Sequence, residues 1–327
     1  DHNQLTMDVM RTVAKKNGLA CILHEKPFLS VSGSGKHNNW SLSTEKGRNL
    51  LKPGDKPGEN YEFMLFLAAF ITAVDRYADL IRLAAASAGN DQRLGSNEAP
   101  PAIVSVYLGT SLTYSFLAFA LGRHSGDSSR SEMKSSISAL PALQKDNSDR
   151  NRTSPVAYTG NKFEFRMVGS SASIAFSNTM INSAVAAVLG EFADRLEKAA
   201  DKNAEIEAIV GEAAYNHARV IFNGNSYSKE WAAEAKRRRL PNFKTSVDVY
   251  PVFLDPKNIA MFKKTGVFTE AECRARHEVL LEGYVKTVDI EAETLLEMTR
   301  KQIIPAVTLA VADLAAAKNS IEKDRKS

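Results

Sequence analysis

Residues 159–171 read TGNKFEFRMVGSS, and the fold turns on the alternation inside them. Successive side chains of a strand point to opposite faces. Lys162, Glu164 and Arg166 therefore share one face, while Phe163 and Phe165, with Val168 or the kink near it, serve the core. This is a half-buried strand, apolar toward a core and polar toward a cleft or water. Residues 36–43, KHNNWSLS, repeat the pattern: His37, Asn39 and Ser41 face one way, Trp40 and Leu42 the other.

Around these strands, helices dominate. Residues 3–17 read as a short helix with Leu5, Val9 and Val13 inward, stopped near Gly18. Residues 19–25 (LACILHE) read as a strand, and 26–35 as a loop rich in Ser and Gly. Pro53, Gly54, Pro57 and Gly58 mark a turn. Residues 60–86 carry Phe63, Leu67, Phe70, Ile71, Val74, Tyr77 and Ile81 at helical period, so these share a buried face. Residues 102–121 predict a strand leading into a helix. Residues 122–150, serine-rich and of mixed charge, predict a long surface insertion. After the strand at 162–168, helices run to the end. Thr269 with Glu272 makes a capping box. Leu281, Tyr284, Val288, Ala292 and Leu295 then form the buried stripe of a last long helix that Pro305 interrupts or ends.

The chain has 327 residues and 44% apolar content, enough for one large domain with an appended module. Its net charge of +4 is too mild to argue for nucleic acid or a membrane surface. Cys21 and Cys273 form no spaced framework, which fits a reducing compartment such as the cytoplasm. The longest apolar run, Phe63 to Val74, is too short to span a bilayer. The chain opens on Asp1 without a methionine and no signal peptide is evident, so material upstream of Asp1 is expected.

Taken alone, each polar strand face has two readings. His37, Asn39 and Ser41 can line a cleft, or simply meet water. Glu164 can ligate a hard divalent cation while Lys162 and Arg166 neutralise phosphoryl charge, or the three can form a solvated salt-bridge ladder. The loop VSGSGKH (31–37) fails the phosphate-loop pattern: Ser30 stands where a glycine is needed, and His37 where Ser or Thr should meet magnesium. The loop 89–101 (GNDQRLGSNEAPP) reads as a mobile lid carrying Arg93 and Glu98, or as an ordinary surface loop. His24 reads as a core histidine. Arg237, Arg238 and Arg239 end a helix, facing its dipole and solvent.

Four stretches in one order carry a resemblance: GSGKHNNWSL (33–42), GNDQRLGSNEAPP (89–101), NRTSP (151–155) and NKFEFR (161–166). Order and wording resemble glutamine synthetase. HEKPF (24–28), the flanks of the lid and strand motifs, and the helical tail make the type III branch the best match. The resemblance implies an α+β fold, a curved antiparallel sheet backed by helices, with a catalytic domain over 1–189 and a helical extension over 190–327. It implies that His37 and Glu164 ligate one Mg2+ or Mn2+ that touches ATP. Asn39, Ser41 and Lys162 fall where the family meets nucleotide, and Gly33 and Arg93 where it meets glutamate. Glu98 matches the lid acid that takes a proton, and Arg152 and Arg166 match arginines that hold the transferring phosphoryl group.

Three departures from the family pattern matter. Ser32 stands where the family usually has Asn. Arg93 lies one residue nearer the lid acid than in type I enzymes. Lys162 replaces an arginine, keeping the charge but not the two-pronged donor. The carboxylates for a second cation belong to upstream segments in the family, so residues 1–327 alone are expected to be inactive. The implied reaction joins ammonia to L-glutamate through γ-glutamyl phosphate, at the cost of ATP, in a cytoplasmic homo-oligomeric ring, a dodecamer by resemblance, with no nucleic-acid or membrane partner. Two other readings stay open: a γ-glutamyl ligase for another amine, and a non-catalytic ring-forming scaffold.

Overall fold

A computed structural model describes residues 2–96, 99–123 and 153–325, together with the short strands at 132–133 and 143–144. The insertion expected over 122–150 therefore lies almost wholly outside the described residues. In chain order the elements are α1 (His2–Lys16), β1 (Asn38–Trp40), α2 (Tyr61–Arg76), α3 (Ala78–Leu83), α4 (Ala88–Arg93), β2 (Val106–Tyr107), α5 (Thr110–Ala120), β3 (Glu132–Met133), β4 (Leu143–Gln144), β5 (Val156–Tyr158) and β6 (Phe163–Phe165). The helices α6 (Ile174–Lys198), α7 (Lys202–His217), α8 (Lys229–Arg237), α9 (Ser246–Val249), α10 (Pro256–Thr265), α11 (Glu270–Met298) and α12 (Ile304–Asp324) follow. The class is α+β: mostly helical, with a small open sheet.

That sheet has the order β1-β6-β5-β2. β5 and β6 form a hairpin, and β1 pairs antiparallel with β6. β2 runs parallel to β5, so the sheet is mixed where a wholly antiparallel one was expected. The reason is connectivity: a long excursion through α5 separates β2 from β5, and parallel neighbours need such a crossover. Alternation in the two decisive strands holds. Phe163 and Phe165 are buried, as are Asn38 and Trp40 of β1, while His37, Asn39 and Ser41 are exposed. The apolar face lies on α2, where Phe163 stacks on Phe70 with ring centroids 3.6 Å apart and Trp40 sits 5.1 Å from the same ring.

α2 is apolar nearly all round because it is covered on several sides: α6 and α7 pack against it as well as the sheet. Asn60 caps it, its side chain accepting from the Phe63 amide at 3.0 Å. The helix expected over 60–86 is two helices, broken at Tyr77. The break is held by α10: Lys257 donates to the Arg76 carbonyl at 2.9 Å, and Asn258 donates to Asp79 at 3.1 Å. Residues 19–25, expected as a strand, have no strand pairing and run as irregular chain, since no neighbouring strand edge is offered to them among the described residues.

Thr269 and Glu272 form the expected capping box, the Thr269 amide donating to Glu272 at 2.8 Å and the Glu272 amide to the Thr269 hydroxyl at 3.3 Å. Pro305 does not end the helix. It falls in the first turn of α12, and a π-helical turn at Thr299–Ile303 joins α11 to α12 without a stop. The chain divides into two compact units, 1–277 and 278–327. α6 runs across the expected domain boundary at 189/190. The second unit is one helix, and Leu281, Val288 and Leu295, expected to be buried, are exposed. A single helix has no second layer against which to bury a stripe. The continuous helix Glu270–Asp324 is long and apolar enough, by length and composition, to cross a membrane. Long core helices of soluble proteins meet the same test.

Candidate active site

The polar face of the sheet gathers the residues singled out above. In the register of β1 with β6, Asn39 lies opposite Glu164, which places His37 diagonally beside it on the same face. The imidazole Nδ1 of His37 comes to 2.5 Å from Glu164 Oε1. The other carboxylate oxygen, Oε2, accepts from Arg166 Nε at 3.0 Å and from its terminal nitrogen at 2.8 Å. Burial pushes the Glu164 carboxyl up, but the hydrogen bonds and charge of Arg166, then His37, outweigh it and hold the group below the ordinary glutamate value. Glu164 is thus an ionised carboxylate at neutral pH, with its side chain 15% exposed beside an imidazole 38% exposed. An imidazole nitrogen and an ionised carboxylate oxygen at one point suit a divalent cation. Among the described residues no group of three or more His, Cys, Asp or Glu comes together, so this pair is the whole protein-side donor set there.

Ser41 lies further along the same edge, its hydroxyl donating to the Asn161 carbonyl at 3.0 Å. Lys162 sits in the β5–β6 turn, where its carbonyl accepts from Thr159 at 2.9 Å. The turn is fixed from below by Tyr158, whose hydroxyl donates to the carbonyls of Leu51 and Gly160 at 2.7 and 2.8 Å.

Arg93 approaches from the end of α4 and is 4% exposed. Its guanidinium donates to Asn90 Oδ1 at 3.0 Å and to the carbonyls of Met167, Val168 and Arg166 at 3.2, 3.3 and 3.3 Å. It lies directly beneath Gly33 and Gly35: a Cβ on Gly33 would come within 3.0 Å of the Arg93 side chain, and one on Gly35 would collide with the guanidinium. Gly35 bridges antiparallel to Gly169, and the Lys36 amide donates to the Val168 carbonyl at 2.9 Å. The loop 33–37 is therefore stitched to the segment that follows β6, with Arg93 inserted beneath.

Glu25 received no role from sequence reasoning, yet it stands at the centre of this arrangement. Its side chain is buried, and Oε1 accepts from the Ser171 amide at 3.1 Å and from the Ser171 hydroxyl. Its carbonyl accepts from the Ser34 amide at 2.8 Å. Burial pushes Arg93 and Lys36 toward losing their protons, and the Glu25 charge opposes this in both. A charged Glu-Lys pair inside the apolar run before a Gly-rich loop was the available signal. Glu98 and Arg152 lie outside the described residues. Thr153, next to Arg152, is placed by accepting from the Ser226 amide at 3.3 Å.

A mixed α+β sheet whose polar face presents a histidine, a glutamate and an arginine defines a candidate cation and anion site. Residues 1–104 match the glutamine synthetase catalytic domain, and residues 205–322 match the glutamine synthetase C-terminal domain. The chain is 43% identical to a glutamine synthetase of Butyrivibrio fibrisolvens, over 96% of its own length and 45% of that protein. It is 41% identical to a type-3 glutamine synthetase of Dictyostelium discoideum, over 98% of this chain and 44% of that one. It is 40% identical to a glutamine synthetase of Bacteroides fragilis, over 93% and 43%. The chain belongs to the glutamine synthetase family, whose members are ligases, and it spans less than half the length of these curated relatives.

Proposed function

We propose that the protein containing this chain joins ammonia to L-glutamate at the expense of ATP, giving L-glutamine, ADP and phosphate. The observation that carries the reading is the His37–Glu164–Arg166 constellation on one sheet face, in a chain of this family. His37 and Glu164 would hold one Mg2+ or Mn2+. When bound, such an ion supplies positive charge to an ATP phosphate. Asn39, Ser41 and Lys162 lie along the same edge and would meet the nucleotide. Gly33 and Arg93 would meet substrate glutamate, Arg93 through its charge, since its guanidinium already donates to Asn90 and to the carbonyls of Arg166, Met167 and Val168.

In the first step a γ-carboxylate oxygen of glutamate attacks the γ-phosphorus of ATP. The bond to the bridging oxygen breaks and ADP leaves. Arg166, held in place by Glu164, and Arg152 would balance charge on the transferring group. In the second step the ammonia nitrogen attacks the acyl carbon and phosphate leaves, with Glu98 receiving the surplus proton. Residues 89–101 would shield the acyl phosphate from water. Further cation ligands would come from parts of the protein outside this span, and the assembly would be a homo-oligomeric ring in the cytoplasm.

The test is ADP release by the full-length protein. It should depend on both glutamate and ammonium, at about 1 per second or faster, and the isolated span 1–327 should lack it. Release that ignores glutamate, or that responds to a polyamine and not to ammonium, overturns the reading.

A further inference from the structure

We propose that Glu25 is a positioning residue that holds the Gly33–His37 loop through its carbonyl, and the start of α4 and the Gly169–Ser171 segment through its buried carboxylate, in one fixed arrangement. The inference rests on the proposed reaction for its kinetic consequence, and on geometry alone for the clamp itself.

Glu25 is 4% exposed, in a chain region with no regular secondary structure. An acidic side chain does not stay buried there unless its oxygens are matched. Three segments surround Glu25, and one of them, through Ser171, supplies the donors to its carboxylate. From the loop, the Ser34 amide donates to the Glu25 carbonyl. From beyond β6, Ser171 donates to Oε1 with both its amide and its hydroxyl. From α4, Gly89 leaves the space for Oε2: a Cβ on Gly89 would lie 2.6 Å from that oxygen. A Cβ on Gly169 would lie 2.7 Å from Oε1, so a second glycine opens the other side of the slot. The carboxylate fits between two hydrogen-only walls, and any side chain on either wall would expel it.

The segments gathered this way are the ones that carry candidate substrate contacts. α4 ends on Arg93, the loop contains Gly33 and leads into His37, and the stretch before Gly169 carries Glu164 in β6 and Arg166 just after it. The Glu25 charge also acts on two cations beside the loop, buried Arg93 and half-buried Lys36, and Lys36 is itself tied across to the Ala172 carbonyl. Glu25 thus sets the spacing between the glutamate side of the site and the cation side while touching neither substrate.

The experiment uses the full-length protein with Glu25→Gln, Glu25→Ala, Gly89→Ala and the Glu25→Ala/Gly89→Ala double variant. Two readouts are taken: hydrogen–deuterium exchange over 33–37 and 169–172, and kcat and KM for glutamate, ATP and ammonium. Exchange at Ser171, whose amide donates to the carboxylate, should rise in all the variants, while the chain outside 33–37 and 169–172 exchanges as in the parent. KM for glutamate should rise about ten-fold or more in Glu25→Ala and Gly89→Ala, with kcat changing less and KM for ATP little. Glu25→Gln keeps the acceptor but not the charge and should fall between Glu25→Ala and the parent. The double variant should be no worse than Glu25→Ala, since Gly89→Ala acts only by displacing the carboxylate. Unchanged exchange overturns the clamp. Raised exchange with unchanged KM overturns the positioning role and leaves Glu25 a structural acid. If the parent protein does not consume glutamate, the proposed reaction fails, and the exchange data alone decide the clamp.

Discussion

His37 on the edge strand and Glu164 on its neighbour meet at 2.5 Å, and Arg166 holds the second oxygen of that carboxylate at 2.8 Å. One oxygen is therefore spoken for by protein, and the other faces an imidazole in a partly open position. Glu164→Gln removes the charge while keeping the shape. In the full-length protein it should weaken Mn2+ binding by about ten-fold or more, with a comparable loss of ATP-dependent turnover. Titration of Mn2+ followed by its paramagnetic signal checks this. A Glu164→Gln protein that binds Mn2+ like the parent removes Glu164 from the cation site.

The same carboxylate gives a pH dependence. Its folded-state pKa is held below the ordinary value of 4.5, so the folded protein binds fewer protons here than the unfolded chain does. The stability that Glu164 contributes is complete above about 4.5 and is lost as pH falls through the lower folded value. Melting temperatures of the parent and Glu164→Gln should differ by a constant amount from pH 7 down to about 5 and converge below that. A difference that grows as the solution is acidified would mean the carboxyl is raised rather than lowered.

Glu98→Ala, in the segment 89–101, should leave nucleotide affinity within about two-fold and reduce ammonia-dependent glutamine formation about 100-fold, the scale of a lost proton acceptor. Nucleotide binding by fluorescence and glutamine formation by chromatography separate the two effects. Unchanged synthesis would remove Glu98 from proton handling and gating.

Asp91 joins α4 to the region after α8. It accepts from buried Arg82 at 3.2 Å and from the Ser246 amide and hydroxyl at 2.6 and 2.7 Å. Asp91→Ala strands the Arg82 charge in the interior and should cost about 3 kcal/mol in urea unfolding, with the sheet-face residues untouched. Asp91→Asn should cost less, because it keeps one oxygen to accept from Ser246. Equal losses would show that the charge of Arg82 is balanced elsewhere.

From Glu278 to Asp324 the second unit is helical, and its apolar side chains, Leu281, Val285, Val288 and Leu295 among them, are exposed. Covered by other subunits of a ring, they would gain the burial that a lone helix denies them. Deleting 278–327 from the full-length protein should lower the assembly mass in light scattering. An unchanged mass would leave the helix outside the subunit contacts, and pelleting with lipid vesicles would then mark it as a membrane contact.

Local chemistry was legible in the sequence because it depends on neighbours along the chain. Alternation in 36–43 and 162–168 placed Phe163, Phe165 and Trp40 inward and His37 and Glu164 outward, and Thr269 with Glu272 announced the cap of the last helix. What depends on partners far along the chain was not legible. The parallel pairing of β2 with β5 follows from which edges meet after a long excursion. The break at Tyr77 is held by Lys257 and Asn258, which belong to a helix formed much later. Pro305 signals an interruption or an end, but its place in a first turn, after a π-helical turn, lets the helix continue. Residues 19–25 have the composition of a strand and are irregular because, among the described residues, no strand edge pairs with them. Glu25 shows the difference most directly. Its position in an apolar stretch is plain in the sequence, but burying a carboxylate requires donors and space, and Ser171, Gly89 and Gly169 come together around it only in the folded chain.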